Sequence, residues 1–352
     1  MWKGESMKTT LSWTLTGTEL AAEYLGLRIY FCMPAGYTMP APQLLRLAEW
    51  LMFSPWHDAP EPDPLPVGAR GSRIGLAFSG GVDSAAALRL LPGAVPVYVE
   101  RDGIETHLFQ PDTQIAFCDE IGAIRVKTNY ELIRTKHNLA AGYSTARGMG
   151  VPAVLLAEYL GLSGVAYGAV LDDTFFPHGT FRRLTGDWLA RQDRFREAGL
   201  ECLSPTLCCS EVITCRLVED GPYRALCDSC IRGGCLTCYK CYRKGLVRTG
   251  RLHQPGPDVE RALAKNPPKM AGPMIWGLQR WGYHVPGMEY SEHLDVSFLG
   301  RYYPAALGRE VVPDAVAAEV RRNLARAFIA PMTAEDVANM QATDLRRPEV
   351  HE

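Results

Sequence analysis

The stretch RIGLAFSGGVDSAAALRLL, Arg73 to Leu91, decides the fold. RIGLAF is a short apolar run of strand length, AAALRLL has helical preference, and SGGVDS joins the two. Gly80 and Gly81 permit a backbone turn that a side chain would obstruct, so successive N–H groups come round to one point. The helix starting there adds the positive end of its dipole, which favours an oxyanion. Ser79 and Ser84 add hydroxyl donors without bulk, and Asp83 is placed either to brace the loop or to help hold a magnesium ion.

Downstream the strand–loop–helix pattern repeats. AVPVYV (Ala94–Val99), AIRVKTN (Ala123–Asn129) and GVAYGAV (Gly164–Val170) read as further strands, with VPAVLLAEYLG as a helix between the last two. Short apolar strands alternating with helices predict an α/β fold with a doubly wound parallel sheet covered on both faces. Ligands of such sheets bind beyond the carboxyl ends of the strands.

Upstream, TLSWTLTG and LRIYFCM read as strands and PQLLRLAEWLMF (Pro42–Phe53) as a helix, a small α+β unit over 1–56. The proline- and acid-rich run HDAPEPDPLPVGAR makes 57–72 a linker to a nucleotide-binding unit expected over 73–200. A cysteine-rich segment (201–250) and a helical region (251–352) complete the chain. In the latter, Val316, Val320, Leu324 and Phe328 share one helical stripe, and Thr333 with Asp336 forms a capping box.

The 352 residues carry a formal net charge of -2 and are 47% hydrophobic, the composition of a globular protein. Near-neutral charge supplies no long-range field for capturing polyanions, so a small molecule or a peptide or protein acceptor is a better partner than nucleic acid. The N-terminus lacks a signal-peptide apolar run, and no stretch approaches the ~18 apolar residues of a membrane span. The reading is therefore cytoplasmic, with no membrane partner and with a homodimer compatible.

Nine of the 11 cysteines lie between Cys202 and Cys241. In a cytosolic chain such clustering points to metal or catalysis. CDSCIRGGCLTCYKC offers Cys227, Cys230, Cys235, Cys238 and Cys241, and two CxxC-type turns complete a tetrahedral zinc site. Five candidates compete for four positions. Cys202, Cys208 and Cys209 fit ordinary core residues, although they keep a sulfur-carrier role open. The aromatic run from Trp276 to Tyr303 suits either domain packing or stacking on a heterocycle. His137, His178, His284 and His293 have no ligand-set spacing.

SGGVDS, in its strand–helix context, resembles the SGGxDS core of the PP-loop ATP pyrophosphatases (adenine nucleotide α-hydrolases), and the likeness extends over about residues 73–245. The resemblance implies that Ser79, Gly80, Gly81, Val82, Asp83 and Ser84 hold the pyrophosphate of ATP–Mg while a substrate oxygen attacks the α-phosphate. It places Asp172 and Asp173, in GVAYGAVLDDTFF, toward nucleotide or substrate through Mg2+, though adjacent acids also fit a solvated turn. It gives Arg147 a phosphate or carboxylate clamp, with a surface salt bridge as the alternative. The C…CxxCxxC run is similar to that of 7-cyano-7-deazaguanine synthases, which selects Cys230, Cys235, Cys238 and Cys241 for Zn2+, with Cys227 as the alternative first ligand. The implied activity is AMP-forming activation of a carboxylate or amide oxygen for a nitrogen nucleophile. An ATP-dependent sulfur transferase and a non-catalytic nucleotide sensor are the alternatives. The terminal regions have no counterpart in those synthases, which leaves the acceptor undetermined.

Overall fold

A computed structural model of the chain describes residues 11–54, 56, 71–104, 112–184, 186–227, 230 and 235–348. The expected linker falls almost wholly outside them. The core is an eight-stranded mixed sheet in the order β1-β2-β3-β6-β5-β4-β7-β8. Its strands are β1 (Thr14–Thr16), β2 (Glu19–Tyr24), β3 (Leu27–Cys32), β4 (Arg73–Phe78), β5 (Val95–Arg101), β6 (Ile124–Thr128), β7 (Leu162–Ala166) and β8 (Glu201–Leu203).

The five strands from β6 to β8 are parallel, and β1, β2 and β3 extend them as an antiparallel edge. The expected parallel sheet is thus present in β4 to β8, while the N-terminal strands, expected as a separate small unit, extend it as an antiparallel edge. Phe31 of β3 pairs with Thr128 of β6, so the N-terminal strands continue the sheet. The cysteine-rich segment likewise begins inside it, because β8 pairs with β7.

Alternation along the pleat explains why both faces are covered. Leu76 and Phe78 of β4 join one apolar cluster with Tyr98, Ala166, Leu203 and the helices Val82–Leu90 and Glu211–Glu219. Ala77, with Val97, Val99, Val126 and Val165, faces the opposite cluster, built on Pro42–Phe53 and the short helices from Val151 to Leu160. Central parallel strands need apolar residues on both faces, and these have them.

The C-terminal region is helical and closes over the first of these clusters. Val316, Val320 and Leu324 of the helix Asp314–Arg326 are buried as expected, but Phe328 is not. The helix ends at Arg326, and Phe328 adopts φ 56° and is 86% exposed. A left-handed residue after a helix turns the chain away, which removes Phe328 from the stripe. The capping box of Thr333 and Asp336 is present on the helix Ala334–Ala342.

Candidate functional site

From β4 the chain moves outward to β5 and β6, then returns across to β7 on the other side of β4. The crevice between the carboxyl ends of β4 and β7 is thus the switch point, where open parallel sheets bind ligands. A cleft of about 470 Å³ opens there, and Ser79, Ser84, Arg147, Gly168, Asp173, Arg182, Arg183 and Ser204 contribute to its lining.

The loop Ser79–Ser84 is held by its own hydroxyls. Ser84 Oγ donates to Gly81 O (2.9 Å) and accepts from the Ser79 N–H (3.2 Å). The two hydroxyl oxygens lie 3.0 Å apart, and the Gly81 N–H donates to Ser79 Oγ (3.3 Å). Gly80 sits at φ 71°, where a Cβ would be strained and would also meet Gln114 Cγ at 2.8 Å. A Cβ on Gly168 would lie 2.8 Å from Ser84 N, so only glycine lets the β7 loop approach this closely. Val82 opens the helix, and Gly81 caps it without a side-chain bond. The first-turn amides of such a helix suit an anion.

Asp83 is a brace. Its carboxylate accepts from Thr214 Oγ1 (2.8 Å) and pairs with Lys244 Nζ at 3.1 and 3.0 Å. Lys244 also lies 3.3 Å from Glu211, which receives a bidentate pair from Arg243 at 2.6 and 2.8 Å. Two cations and two anions thus balance in a network whose Lys244, Glu211 and Arg243 are almost wholly buried. Burial alone would raise the Glu211 carboxyl, but Arg243 and Lys244 outweigh it and hold the group at about 2.

The two adjacent acids part company. Asp172, 3% exposed, turns inward and accepts the Glu211 N–H (2.7 Å), so it does not line the cleft. Burial pushes its carboxyl up to about 7, opposed by that N–H and aided by the Glu211 charge. Asp173 is exposed and lines the cleft. Arg147 is buried and lines it too, with Nε donating to Cys202 Sγ (3.2 Å).

Sequence reading missed Arg182, Arg183 and Ser204. Neither arginine has a carboxylate within 4 Å among the described residues, and the buried Ser204 hydroxyl has no hydrogen-bond partner among them. Only topology connects these residues with the loop about a hundred positions earlier. Three arginine side chains around a serine-rich loop make the cleft suited to a polyanion.

The sulfurs of Cys230, Cys235, Cys238 and Cys241 lie within 4.8 Å of one another. Individual separations of 3.4, 3.9 and 3.8 Å fit the edge of about 3.8 Å that four Zn–S bonds of about 2.3 Å produce in a tetrahedron. This set could hold a metal such as zinc, with no protein-free position for water. Cys238 caps the helix Tyr239–Thr249. A hydrogen bond from Cys241, with help from the Cys241 N–H, holds the Cys238 thiol down at about 4 despite burial.

Cys227 lies outside the set; its Sγ donates to Gly80 O (3.5 Å) in the loop. Gln114, packed on Gly80, donates to Cys230 O (3.4 Å). The helix capped by Cys238 also carries Arg243 and Lys244. The sulfur cluster and the loop are therefore joined at two points, through Gln114 and through the helix that carries Lys244, and Cys227 adds a third contact from the neighbouring segment.

Cys202, Cys208 and Cys209 are buried, and none lines the cleft. The aromatic run packs instead of facing the cleft: Tyr303 meets Phe175 and Phe181 edge-on, while Trp281 and Tyr283 are exposed. His137 stacks on Trp56, and His284 pairs with Glu292. Among the described residues no helix is long and apolar enough to cross a membrane.

Residues 191–266, which span β8, the sulfur cluster and the Arg243–Lys244 pair, match the model of a family of unknown function, DUF6395. No curated protein matches the chain.

Proposed function

We propose that this protein is a PP-loop ATP pyrophosphatase that activates a substrate oxygen by adenylation. The observation that carries the reading is the convergence of the Ser79–Ser84 loop with Arg147, Arg182 and Arg183 at the β4–β7 switch point. The β- and γ-phosphates of ATP occupy the loop, and an oxygen of a carboxylate or amide substrate attacks the α-phosphorus. The bond from that phosphorus to the bridging oxygen breaks, and pyrophosphate leaves with its charge met by the helix terminus and the arginines. A nitrogen nucleophile then displaces AMP from the activated carbon.

A magnesium ion would neutralise the phosphates, and Asp173, which lines the cleft together with Asp83, would help hold it. Asp83 already serves Lys244 and Thr214, so its part is to fix the loop. The four-sulfur site leaves no position for substrate, which suits a structural ion. Cys202, Cys208 and Cys209 are buried and none of the three lines the cleft, Cys202 lying against Arg147, which favours the nitrogen route over sulfur delivery.

Titration of the full chain with fluorescent mant-ATP and Mg2+ tests this reading. Saturable binding that falls at least tenfold in Arg182→Ala/Arg183→Ala is expected. Absence of binding at millimolar nucleotide, or full affinity in the double variant, would overturn it.

A further inference from the structure

A second cavity of about 620 Å³ adjoins the cleft, and the two share Asp173 and Pro177. Its far wall comes from the region without a counterpart in the resemblance: the segment from Lys265 to Gly272 and the C-terminal Leu345–Arg346. The C-terminal segment is tied in place by the Leu345 N–H donating to Gly179 O (2.8 Å) and by a bridge between Thr180 and Asp344.

The wall has two characters. Phe176, Pro267, Met270 and Leu345 make an apolar surface. Lys265, Lys269 and Arg346 add three cations, against Asp173 at the mouth and Asp344 beside Arg346. Lys269 Nζ lies 3.9 Å from Asp173 Oδ1, so it stands where the two cavities meet. The helix Ala271–Trp281 also begins at this wall, with no side-chain cap and no acid in its first turn. The floor is Asp172, whose Oδ2 is taken by the Glu211 N–H. Burial raises this carboxyl to about 7, which lowers the negative charge it presents to an anion below that pH.

We propose that this cavity is the acceptor site and that it takes a small carboxylate carried on an apolar body. The apolar body packs against Phe176, Pro267, Met270 and Leu345, and the carboxylate lies beside Lys269, facing the cleft past Asp173. The assignment as acceptor rests on the nucleotide reading of the neighbouring cleft; the binding chemistry stands on the cavity itself. In this arrangement the C-terminal region supplies substrate specificity, which explains why the site spans two parts of the chain.

Isothermal titration of the full chain with N-acetyl-leucine, N-acetyl-leucinamide and acetate tests the proposal, with α,β-methylene-ATP as a separate titrant. N-acetyl-leucine binds at least tenfold more tightly than its amide, which lacks the carboxylate, and than acetate, which lacks the body. Lys269→Glu weakens N-acetyl-leucine at least tenfold and changes affinity for the nucleotide analogue less than threefold. Equal binding of acid and amide, full affinity in Lys269→Glu, or no binding of N-acetyl-leucine would overturn it. Binding of the analogue without N-acetyl-leucine refutes this cavity and leaves the nucleotide reading standing. Binding of N-acetyl-leucine without the analogue supports the cavity as a carboxylate site and refutes its role as acceptor.

Discussion

Replacing Lys244 with Met should destabilise the protein by about 3 kcal/mol, because it leaves two carboxylates short of a buried cation. Lys244 is 4% exposed and holds Asp83 at 3.0 and 3.1 Å and Glu211 at 3.3 Å. Breaking a buried pair by removing one partner typically costs about 3–5 kcal/mol. The lower end applies here, since Glu211 keeps Arg243 and Asp83 keeps Thr214 and some solvent. Methionine roughly preserves the stem's volume, so little of the loss comes from a cavity. A deficit of about 3 kcal/mol is a roughly 150-fold shift in the folding equilibrium. Urea unfolding monitored by tryptophan fluorescence reads it as a lower midpoint. The double variant Asp83→Asn/Lys244→Met removes one charge of each sign and should recover at least about 1 kcal/mol. Metal content should stay unchanged, because the four sulfurs are untouched. A Lys244→Met protein within about 0.5 kcal/mol of wild type would refute the brace and return Asp83 to the candidates for magnesium.

Protein purified without oxygen should contain about one zinc per chain and show no visible colour; iron with acid-labile sulfide would instead favour sulfur transfer. Cys235→Ser should lose that metal and weaken mant-ATP at least tenfold, whereas Cys227→Ser should keep it; equal metal loss in both would contradict the ligand set. At about pH 4 Asp172→Ala should cost about 1–3 kcal/mol by orphaning the Glu211 N–H, while Asp172→Asn, which still accepts, should be nearly neutral there and stabilising at pH 7. The folded Asp172 pKa, about 7, lies above the usual carboxylate value near 4, so its stability contribution is full below about pH 4 and is lost as pH rises to about 7. The difference between wild type and Asp172→Asn should therefore change by on the order of 3–4 kcal/mol over that window; a flat difference in urea titrations at several pH values would exclude a neutral buried Asp172. Gly80→Ala should abolish measurable mant-ATP binding, given φ 71° and the Gln114 contact, and wild-type affinity would show that the turn is not the nucleotide cradle.

The sequence made β4 to β7 and the helix Pro42–Phe53 legible because apolar runs of strand length and a clean helical stripe were present. Glu19–Tyr24 and Glu201–Leu203 were missed for different reasons. The first is a hairpin partner whose alanine content weakens its strand signal, and the second is three residues beside a cysteine-rich stretch. The placement of the N-terminal strands was illegible, since one pairing between Phe31 and Thr128 depends on contacts across nearly a hundred residues.

At the site, local signals carried well and long-range ones did not. SGGVDS and the cysteine spacing were readable as units. The bond between Lys244 and Asp83 spans 161 positions, and a lysine beside an arginine on a helix looks like a solvated face in one dimension. Asp172 and Asp173 look equivalent as letters, yet one backbone step separates a buried acid from an exposed one. Arg182 and Arg183 lacked any pattern linking them to the loop.

The most direct test of the central claim is the identity of the products after prolonged incubation of the full chain with ATP and Mg2+, read by phosphorus NMR. The account predicts AMP and pyrophosphate in equal amounts, with neither formed by Ser84→Ala. ADP and inorganic phosphate as the products would contradict it.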